Sequence, residues 1–521
     1  MSAITAADIN QGHERYPEYY YLWHLIAIGA ISAEAPDIGD VCPKSIQGVV
    51  WTDPAFSPQR PSAKIAMIDM GVAPHHPNLD PDSAPGSRID WANAIDLASH
   101  RYGAKDSDFA AQPMHSETRG RHLSAVSWRV LSSSATTGAN PVELDIDAEQ
   151  VATLERLRNG QGVFRYVGAY GSRYSTHGTC CAGLAVGTTD ENAPHGSVGD
   201  TIVYYGVDPE SIILPITTSI SPDPEQLVAA FLYAHAQDAD VILFPRDAGF
   251  PEKAPFYNQL DANEKTRFDG TEEAKKWDLF EKVFLAVSKD IPIVCAAGND
   301  GLDDLIYPAR LAADTANGVI AIGAVSYRGF RSGYSNYGDG LTAVAPSDDG
   351  EVYNRYQIRL DEQSPSVLDY FVKDVNIEPA PPTKVIYSPQ RLVTLDVPGP
   401  RGYADGNRET PPKTKQEAML DAGALYTQFG GTSGASSIVA GVVALMQRQS
   451  ATRIGGPAIK QRLMNPGGST PNLDISGWYW LDPAHPGVLE VDGINGPDAP
   501  AEVMQFGSGG LINLRKLLNL P

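Results

Sequence analysis

The stretch Gly430–Met446, GGTSGASSIVAGVVALM, decides the fold. Its second half, Ile438–Met446, is an unbroken run of apolar and glycine residues, which predicts a helix with no polar face and therefore a buried one. The glycines at the start permit a tight turn into the helix. Ser433 then lies in the first turn, in the positive field of unpaired N–H groups. Such a serine is either an N-cap or a nucleophile placed beside an oxyanion site.

The composition of the whole chain limits the classes of function. The chain has 521 residues, of which 42% are hydrophobic and 20% are charged, as in a globular protein with a sizeable core. Its 40 Lys and Arg against 63 Asp and Glu give a net charge of −23. Nucleic acids and anionic membranes are bound by basic patches, so we expect neither as a partner.

The N-terminus has no secretory signal pattern. Its apolar stretch, Tyr21–Ile31, contains His24, and Glu14 and Glu18 precede it where positive residues would be required. No apolar run is long enough to span a bilayer. Cysteines are too few for a disulfide framework; they are Cys42, Cys180, Cys181 and Cys295. We therefore expect a reduced, cytoplasmic protein.

Two further stretches place reactive side chains at the ends of elements. Lys64–Asp69, KIAMID, reads as a buried strand that ends in an aspartate just before a glycine turn. Parallel sheets carry their chemistry at the carboxyl ends of strands, so Asp69 is a candidate for a functional role. The run THGTCCAGLAVG from Thr176 predicts a buried helix with His177 at its start.

Strand and helix patterns alternate along the rest of the chain, which predicts an α/β fold with a parallel sheet and right-handed crossovers. The other predicted strands are Thr201–Gly206, Ser211–Ile216, Asp240–Phe244, Ile291–Ala296, Gly318–Ala324 and Leu341–Ala345, with weaker signals at Lys384–Tyr387 and Arg391–Asp396. The predicted helices are Asp147–Arg158, Pro224–Asp238, Thr271–Lys289 and a closing amphipathic helix, Leu511–Leu520.

The domain organisation predicted from these patterns is one elaborated domain. Residues 1–60 read as an extension that wraps the core, and residues 61–521 as the domain itself. Three irregular, polar or Pro-rich stretches interrupt it, at about 80–171, 347–428 and 465–506, and none is linker-like enough to mark a boundary.

Asp69, His177 and Ser433 stand in an order that has a chemical meaning. Hydrolysis by an activated hydroxyl requires a nucleophile, an imidazole that takes its proton and a carboxylate that orients the imidazole. The competing G-x-S-x-G signature does not fit, because residue 435 is alanine. An α/β-hydrolase would also place the serine before the histidine.

With these motifs the chain resembles the subtilisin-like serine proteases, or subtilases, over most of Lys64–Leu518. The segments that carry the resemblance are IDMGV with the later HPNL, HGTCCAGLAVG, GTSGASSIVAG and VCAAGNDG, the last at Val294–Gly301. The resemblance implies a three-layer fold with a mostly parallel central sheet, and peptide-bond hydrolysis of a protein or peptide substrate. It also implies that Ser433 is the nucleophile, His177 the base and acid, Asp69 the orienting carboxylate and Asn299 an oxyanion donor.

The resemblance further implies where the substrate would bind. One wall would be formed by Pro245, Arg246 and Asp247, and the other by Ala296, Ala297 and Gly298. Pro245 lacks an N–H that could bond an extended substrate peptide, and the two residues after it, Arg246 and Asp247, add charge. We therefore expect restricted specificity.

Two positions depart from the family pattern. Met70 follows Asp69 where the family has a hydroxyl that can bond the carboxylate, and Ser437 stands where the catalytic helix normally carries proline. Cys181 matches subtilases with a thiol near the histidine, although a small buried hydrophobe is the simpler interpretation. Zinc binding by Cys180 and Cys181 is disfavoured because consecutive helix residues point in different directions.

We expect no required cofactor and assign no metal ligands. The family often binds calcium as a structural ion, but no loop here has a recognisable ligand spacing. No inhibitory prodomain pattern precedes Lys64, so restraint would come from the insertions, a regulatory partner or narrow specificity. Two other functions stay open beside the endopeptidase: a catalytically silent binding module and a transpeptidase with the same triad.

Overall fold

The structure is a computed structural model. The residues it describes are 22–34, 45–73, 76–81, 86–97, 130–132, 142–144, 146–158, 176–189, 204–219, 222–249, 261–269, 271–325, 331–348, 352–353, 386–387, 392–397, 425–465 and 508–520. Most of the three predicted insertions therefore lies outside the described residues.

Strands and helices alternate along the chain, as the patterns predicted. The strands are β1 (Ile31–Glu34), β2 (Ser45–Val49), β3 (Lys64–Asp69), β4 (Ile95–Asp96), β5 (Val130–Ser132), β6 (Val142–Leu144), β7 (Ile212–Thr217), β8 (Val241–Phe244), β9 (Ile293–Ala296), β10 (Val319–Val325), β11 (Leu341–Pro346), β12 (Val352–Tyr353), β13 (Ile386–Tyr387), β14 (Leu392–Leu395) and β15 (Tyr426–Phe429). The helices are α1 (Trp23–Ala27), α2 (Ala148–Arg158), α3 (Thr176–Val186), α4 (Pro224–Ala236), α5 (Ala262–Asp269), α6 (Glu272–Asp290), α7 (Gly431–Arg448), α8 (Gly456–Met464) and α9 (Leu514–Leu517).

The central sheet has seven strands in the order β11-β10-β9-β8-β3-β7-β4, and every neighbouring pair is parallel. Successive side chains of a strand point to opposite faces. Nearly every residue of β3, β7, β8, β9, β10 and β11 is buried, so both faces of the sheet are covered. Helices α3 and α7 pack on each other, and α4 packs on α6. The predicted three-layer α/β fold is confirmed.

The strand order reverses direction at β3. From β3 the chain builds β4 and β7 on one side, and then β8 to β11 on the other. In open parallel sheets the crevice at such a switch point, beyond the carboxyl ends of the strands, is where ligands bind. Asp69 ends β3 and Pro245 follows β8, so both lie at this crevice.

Helix α7 confirms the prediction made from its apolar run. All of its residues from Thr432 to Arg448 are buried, and the helix contacts β8, β9, β10 and β11. Because no face of the helix meets water, an all-round apolar sequence is what its position requires.

Two predicted elements were wrong in whole or in part. Tyr204–Gly206 is not a strand, and Thr201–Val203 lies outside the described residues. The Gly206 N–H bonds the carbonyl of Gly187 (2.8 Å), so this segment crosses the end of α3 instead of joining the sheet.

The closing helix is shorter than Leu511–Leu520, because α9 covers only Leu514–Leu517. The preceding residues extend along β11: Leu511 forms a parallel bridge with Val344, and the Ile512 N–H bonds the Val344 carbonyl (3.0 Å).

The small antiparallel pair β14–β15 lies against α3. The hydroxyl of Thr394 donates to the carbonyl of Cys180 (2.7 Å), and a Cβ on Gly183 would collide with Thr394 and Leu395. Strand β14 falls inside the predicted insertion 347–428, and it matches the signal at Arg391–Asp396. This part of the insertion is therefore packed against the helix that begins with Thr176 and His177.

None of the helices among the described residues is both long and apolar enough to cross a bilayer.

Candidate active site

Asp69 and His177 form a direct pair at the carboxyl edge of the sheet. Asp69 is 1% exposed, and its Oδ2 lies 2.7 Å from Nδ1 of His177 in the first turn of α3. Its Oδ1 accepts a hydrogen bond from the N–H of Met70 (2.7 Å). Residue 70 thus donates to the carboxylate through its backbone N–H. Met70 has no hydroxyl, which the resemblance predicts at this position.

A close approach of α3 to the loop after β3 makes this pair possible. The carbonyl oxygen of Gly71 occupies the place where a Cβ on Gly178 would lie, so only glycine fits there. The N–H of Ala73 also bonds the hydroxyl of Thr179 (2.8 Å). These contacts hold the first turn of α3, and with it His177, over Asp69.

The pair shifts the pKa of both partners. Burial by itself raises the pKa of Asp69, but the charge and hydrogen bond of His177, and the charge of Arg246, outweigh it and hold that pKa below its usual value. Burial likewise lowers the pKa of His177, but Asp69 outweighs it and raises that pKa well above 6.5. The ion pair of imidazolium and carboxylate is therefore favoured.

Ser433 lies in the first turn of α7 and is 8% exposed. Its hydroxyl donates to the carbonyl of Pro245 (2.9 Å), and the structure records no hydrogen bond between Ser433 and His177. The two first turns are nevertheless neighbours. The thiol of Cys181, one turn after His177, interacts with the hydroxyl of Ser437, one turn after Ser433.

Asn299 follows β9 on an exposed loop beside the start of α7. Its Oδ1 accepts hydrogen bonds from the N–H (2.8 Å) and the hydroxyl (2.9 Å) of Thr432. A backbone N–H can only donate, so this contact fixes which end of the amide is oxygen. Nδ2 is therefore the donor end of the Asn299 amide.

Asn336 is a residue that the sequence analysis did not single out. Its Oδ1 accepts hydrogen bonds from the N–H groups of Asp300 (2.8 Å) and Leu302 (3.3 Å), and its Nδ2 donates to the Asp304 carbonyl (2.9 Å). The loop that carries Asn299 is therefore braced from outside. No local pattern relates residue 336 to a loop more than thirty residues away.

Phe429 is a second residue that sequence reasoning missed. Its ring meets the imidazole of His177 edge to face, with centroids 5.4 Å apart. Phe429 is the last residue of β15, two residues before α7 begins. The aromatic contact limits the movement of the imidazole.

The predicted substrate walls follow the neighbouring strands β8 and β9, whose ends pair at Phe244 and Cys295. Pro245 is buried, Arg246 is half-buried and Asp247 is exposed. Nη1 of Arg246 donates to the hydroxyl of Thr218 (3.3 Å), so this side chain leans over the end of β7. On the other wall the residues are buried; they are Ala296, Ala297 and Gly298.

One group of possible metal ligands occurs among the described residues. The donor atoms of Asp69, His177 and Cys181 lie within 4.8 Å of one another. Nδ1 of His177 is already bonded to Asp69, and Sγ of Cys181 is 3.9 Å from it. Burial raises the pKa of the Cys181 thiol against the influence of His177. The contact of Nδ1 with Asp69 is the arrangement that orients an imidazole for proton transfer.

Comparison with known proteins identifies relatives of this chain. The sequence model of the subtilase family matches residues 61–476. An intracellular serine protease of Paenibacillus polymyxa is 29% identical over 184 residues, which are 34% of this chain and 44% of that protein. Subtilisin BL of Lederbergia lenta is 38% identical over 68 residues, 13% of this chain and 23% of that protein. The matched segments thus span less than half the length of these relatives.

One solved structure aligns with most of the chain at low sequence identity. The epidermin leader peptide processing serine protease of Staphylococcus aureus aligns with 89% of this chain and 76% of its own, with 16% identity and a TM-score of 0.45.

Proposed function

The chain belongs to the subtilase family, and on this premise we propose that it is a serine endopeptidase that hydrolyses peptide bonds through Asp69, His177, Ser433 and Asn299. The observation that carries the proposal is the 2.7 Å contact of His177 with buried Asp69, at the sheet edge where Ser433 begins a buried helix. A carboxylate, an imidazole and a hydroxyl are the groups that acyl transfer by an activated serine requires.

Proton transfer would run from Ser433 to His177. With its proton on Nδ1 and donated to Asp69, the neutral imidazole has its lone pair on Nε2, which is the base in this reaction. Ser433 would turn its hydroxyl from the Pro245 carbonyl towards Nε2, give its proton to Nε2 and attack the scissile carbonyl to form a tetrahedral intermediate. His177 would then protonate the amine, which leaves as the intermediate collapses to the acyl-enzyme, and would afterwards activate the water that releases the acid.

Negative charge on the substrate oxygen would be stabilised by two donors. One is the N–H of Ser433, in the first turn of α7, where intrahelical partners are lacking. The other is Nδ2 of Asn299, oriented by the two bonds that its Oδ1 accepts from Thr432. Such prearranged donors need little reorganisation when the charge develops.

Asn299→Ala should lower kcat by about 100- to 1000-fold with a smaller effect on KM, since this donor acts on the charge of the transition state. Steady-state kinetics on a chromogenic peptide would measure it, and the far-UV circular dichroism spectrum should be unchanged. Asp300→Ala, the next residue of the same exposed loop, is the control. Turnover equal to that of the wild type would remove Asn299 from the mechanism.

We propose a restricted range of peptide substrates. Pro245 has no N–H to pair with an extended peptide, and the half-buried Arg246 fills space at the same wall. The exposed carboxylate of Asp247 favours a basic residue nearby in the substrate. The chemistry requires no cofactor, and calcium or a regulatory partner would act on stability or access only.

Labelling with a fluorophosphonate tests this function directly. The reagent modifies an activated serine, and peptide mapping by mass spectrometry should find the adduct on Ser433 alone. Absence of labelling in folded protein would favour the silent binding module. Labelling of Ser433 together with ligated instead of hydrolysed peptides would favour the transpeptidase.

A further inference from the structure

Helix α7 begins at a tight turn formed by two glycines. Gly431 has φ +76°, in the left-handed region that other residues rarely adopt. Gly430 precedes it, and a Cβ there would collide with the carboxylate of Asp348. The carboxylate of Asp348 thus lies directly against the turn that leads to Ser433.

Asp348 and Tyr334 together hold the first amide of α7. The N–H of Gly431 lies 3.2 Å from Oδ1 of Asp348 and 3.0 Å from Oη of Tyr334, and Tyr334 Oη lies 2.7 Å from the same Oδ1. Tyr334 is 8% exposed. Burial, and then the charge of Asp348, raise the pKa of Tyr334 well above 10, so the phenol keeps the proton that it donates.

The carbonyl of the same glycine is held as well. The hydroxyl of Ser347 donates to the Gly431 carbonyl (2.9 Å), and the hydroxyl of Ser332 donates to the backbone carbonyl of Asp348 (2.6 Å). Residues that follow β11 therefore fix both polar groups of Gly431.

The first two N–H groups of α7 bond side chains outside the helix. The first four N–H groups of a helix have no intrahelical acceptor. That of Gly431 bonds Asp348 and Tyr334, and that of Thr432 bonds Oδ1 of Asn299. The next N–H belongs to Ser433, the proposed oxyanion donor. Its direction depends on the two peptides before it.

We infer that Asp348, held by Tyr334, is a positioning residue that acts through Gly431 to aim the N–H of Ser433 at the oxyanion. The inference rests on the proposed function. Asp348 acts as a hydrogen-bond acceptor at a fixed place, so an amide oxygen at the same place should serve nearly as well as a carboxylate. A misdirected N–H weakens the transition state more than the bound substrate.

Asp348→Ala and Asp348→Asn in the full chain test this inference. For Asp348→Ala we expect kcat to fall about 10-fold, KM to stay within about 2-fold, and affinity for a peptide boronate to fall in proportion to kcat/KM. For Asp348→Asn we expect all three values within about 3-fold of the wild type. Asp304→Ala and Asp304→Asn are matched controls, because Asp304 is 61% exposed in a surface pair with Arg310.

Several results would overturn the inference. One is that folded Asp348→Ala keeps the kcat of the wild type, or changes only in KM. Another is that Asp348→Asn is as slow as Asp348→Ala. If Asp348→Ala does not fold, Tyr334→Phe removes the hydroxyl that bonds both Asp348 and the N–H of Gly431, and wild-type kcat and boronate affinity in that variant would contradict the inference. The wild type is labelled with fluorophosphonate in parallel: wild-type protein that neither labels nor hydrolyses peptides disproves the proposed function instead.

Discussion

Replacing Ser433 by alanine should lower kcat for peptide hydrolysis by about 10⁶-fold, because loss of the nucleophile removes the covalent route altogether. KM should change little, since the substrate walls are formed by other residues. The remaining turnover would come from the oxyanion donors and from substrate positioning. The variant should be measured with a peptide p-nitroanilide at high enzyme concentration, after removal of any trace of wild-type protein.

The matched control is Ser436→Ala. Ser436 lies three residues further along α7, is fully buried, and its hydroxyl bonds the carbonyl of Ser433 (3.0 Å). Like Ser433→Ala, Ser436→Ala removes one serine hydroxyl from α7, and it should alter kcat by only a few-fold. His177→Ala and the double variant with Ser433→Ala should be about as slow as Ser433→Ala alone, because the two groups act as one unit. Substantial activity in Ser433→Ala would show that another group is the nucleophile.

The parts of the fold that follow from short patterns were predictable. An all-round apolar helix after two glycines can only be buried, and α7 is buried along its length from Thr432. KIAMID predicted β3 with Asp69 at its end, and that strand lies inside the sheet between β8 and β7. In both cases the residues themselves carry the information, because burial on all sides favours long apolar runs.

Other features depend on contacts between distant segments, which a single sequence does not reveal. Tyr204–Gly206 has strand-like residues but crosses the end of α3. Asn336 and Asp348 are polar residues of ordinary loops until the fold brings them to the backbone beside Asn299 and Gly431. The order Asp, His, Ser indicated that the three side chains share one site. It did not predict that the Ser433 hydroxyl bonds the Pro245 carbonyl.

The predicted insertion 347–428 also needs a finer division. Strand β14 within it packs on α3, and its partner β15 ends at Phe429, which contacts His177. A variant that shortens the whole insertion would remove part of the support of His177 and would lose activity for that reason alone. A test of restraint by this segment must therefore keep Asp348, residues 392–397 and residues 425–428, and shorten only what lies between them.

Asp69→Asn should lower kcat by about 10⁴-fold while leaving the fold intact. An asparagine can present its NH₂ group to Nδ1 of His177, and the imidazole then carries its proton on Nε2, where the base is needed. The buried site favours such an exchange, since the amide is neutral and the Met70 N–H can still bond its oxygen. Asp304→Asn on the surface is the matched control.

The same variant should also shift the pH dependence, and the direction follows from the pair itself. His177 is a base only when neutral, and Asp69 raises its pKa well above 6.5 against the effect of burial. Wild-type kcat/KM, which reports the free enzyme, should therefore decline as the pH falls through a value above 6.5. The substitution removes the charge of Asp69 that raises the pKa of His177, while burial still lowers that pKa, so the acid limb of Asp69→Asn should move to lower pH. The pH dependence of kcat/KM should be recorded for the wild type and for Asp69→Asn with an activated ester substrate. If the acid limb lies at the same pH in both proteins, a group other than the Asp69–His177 pair controls the reaction.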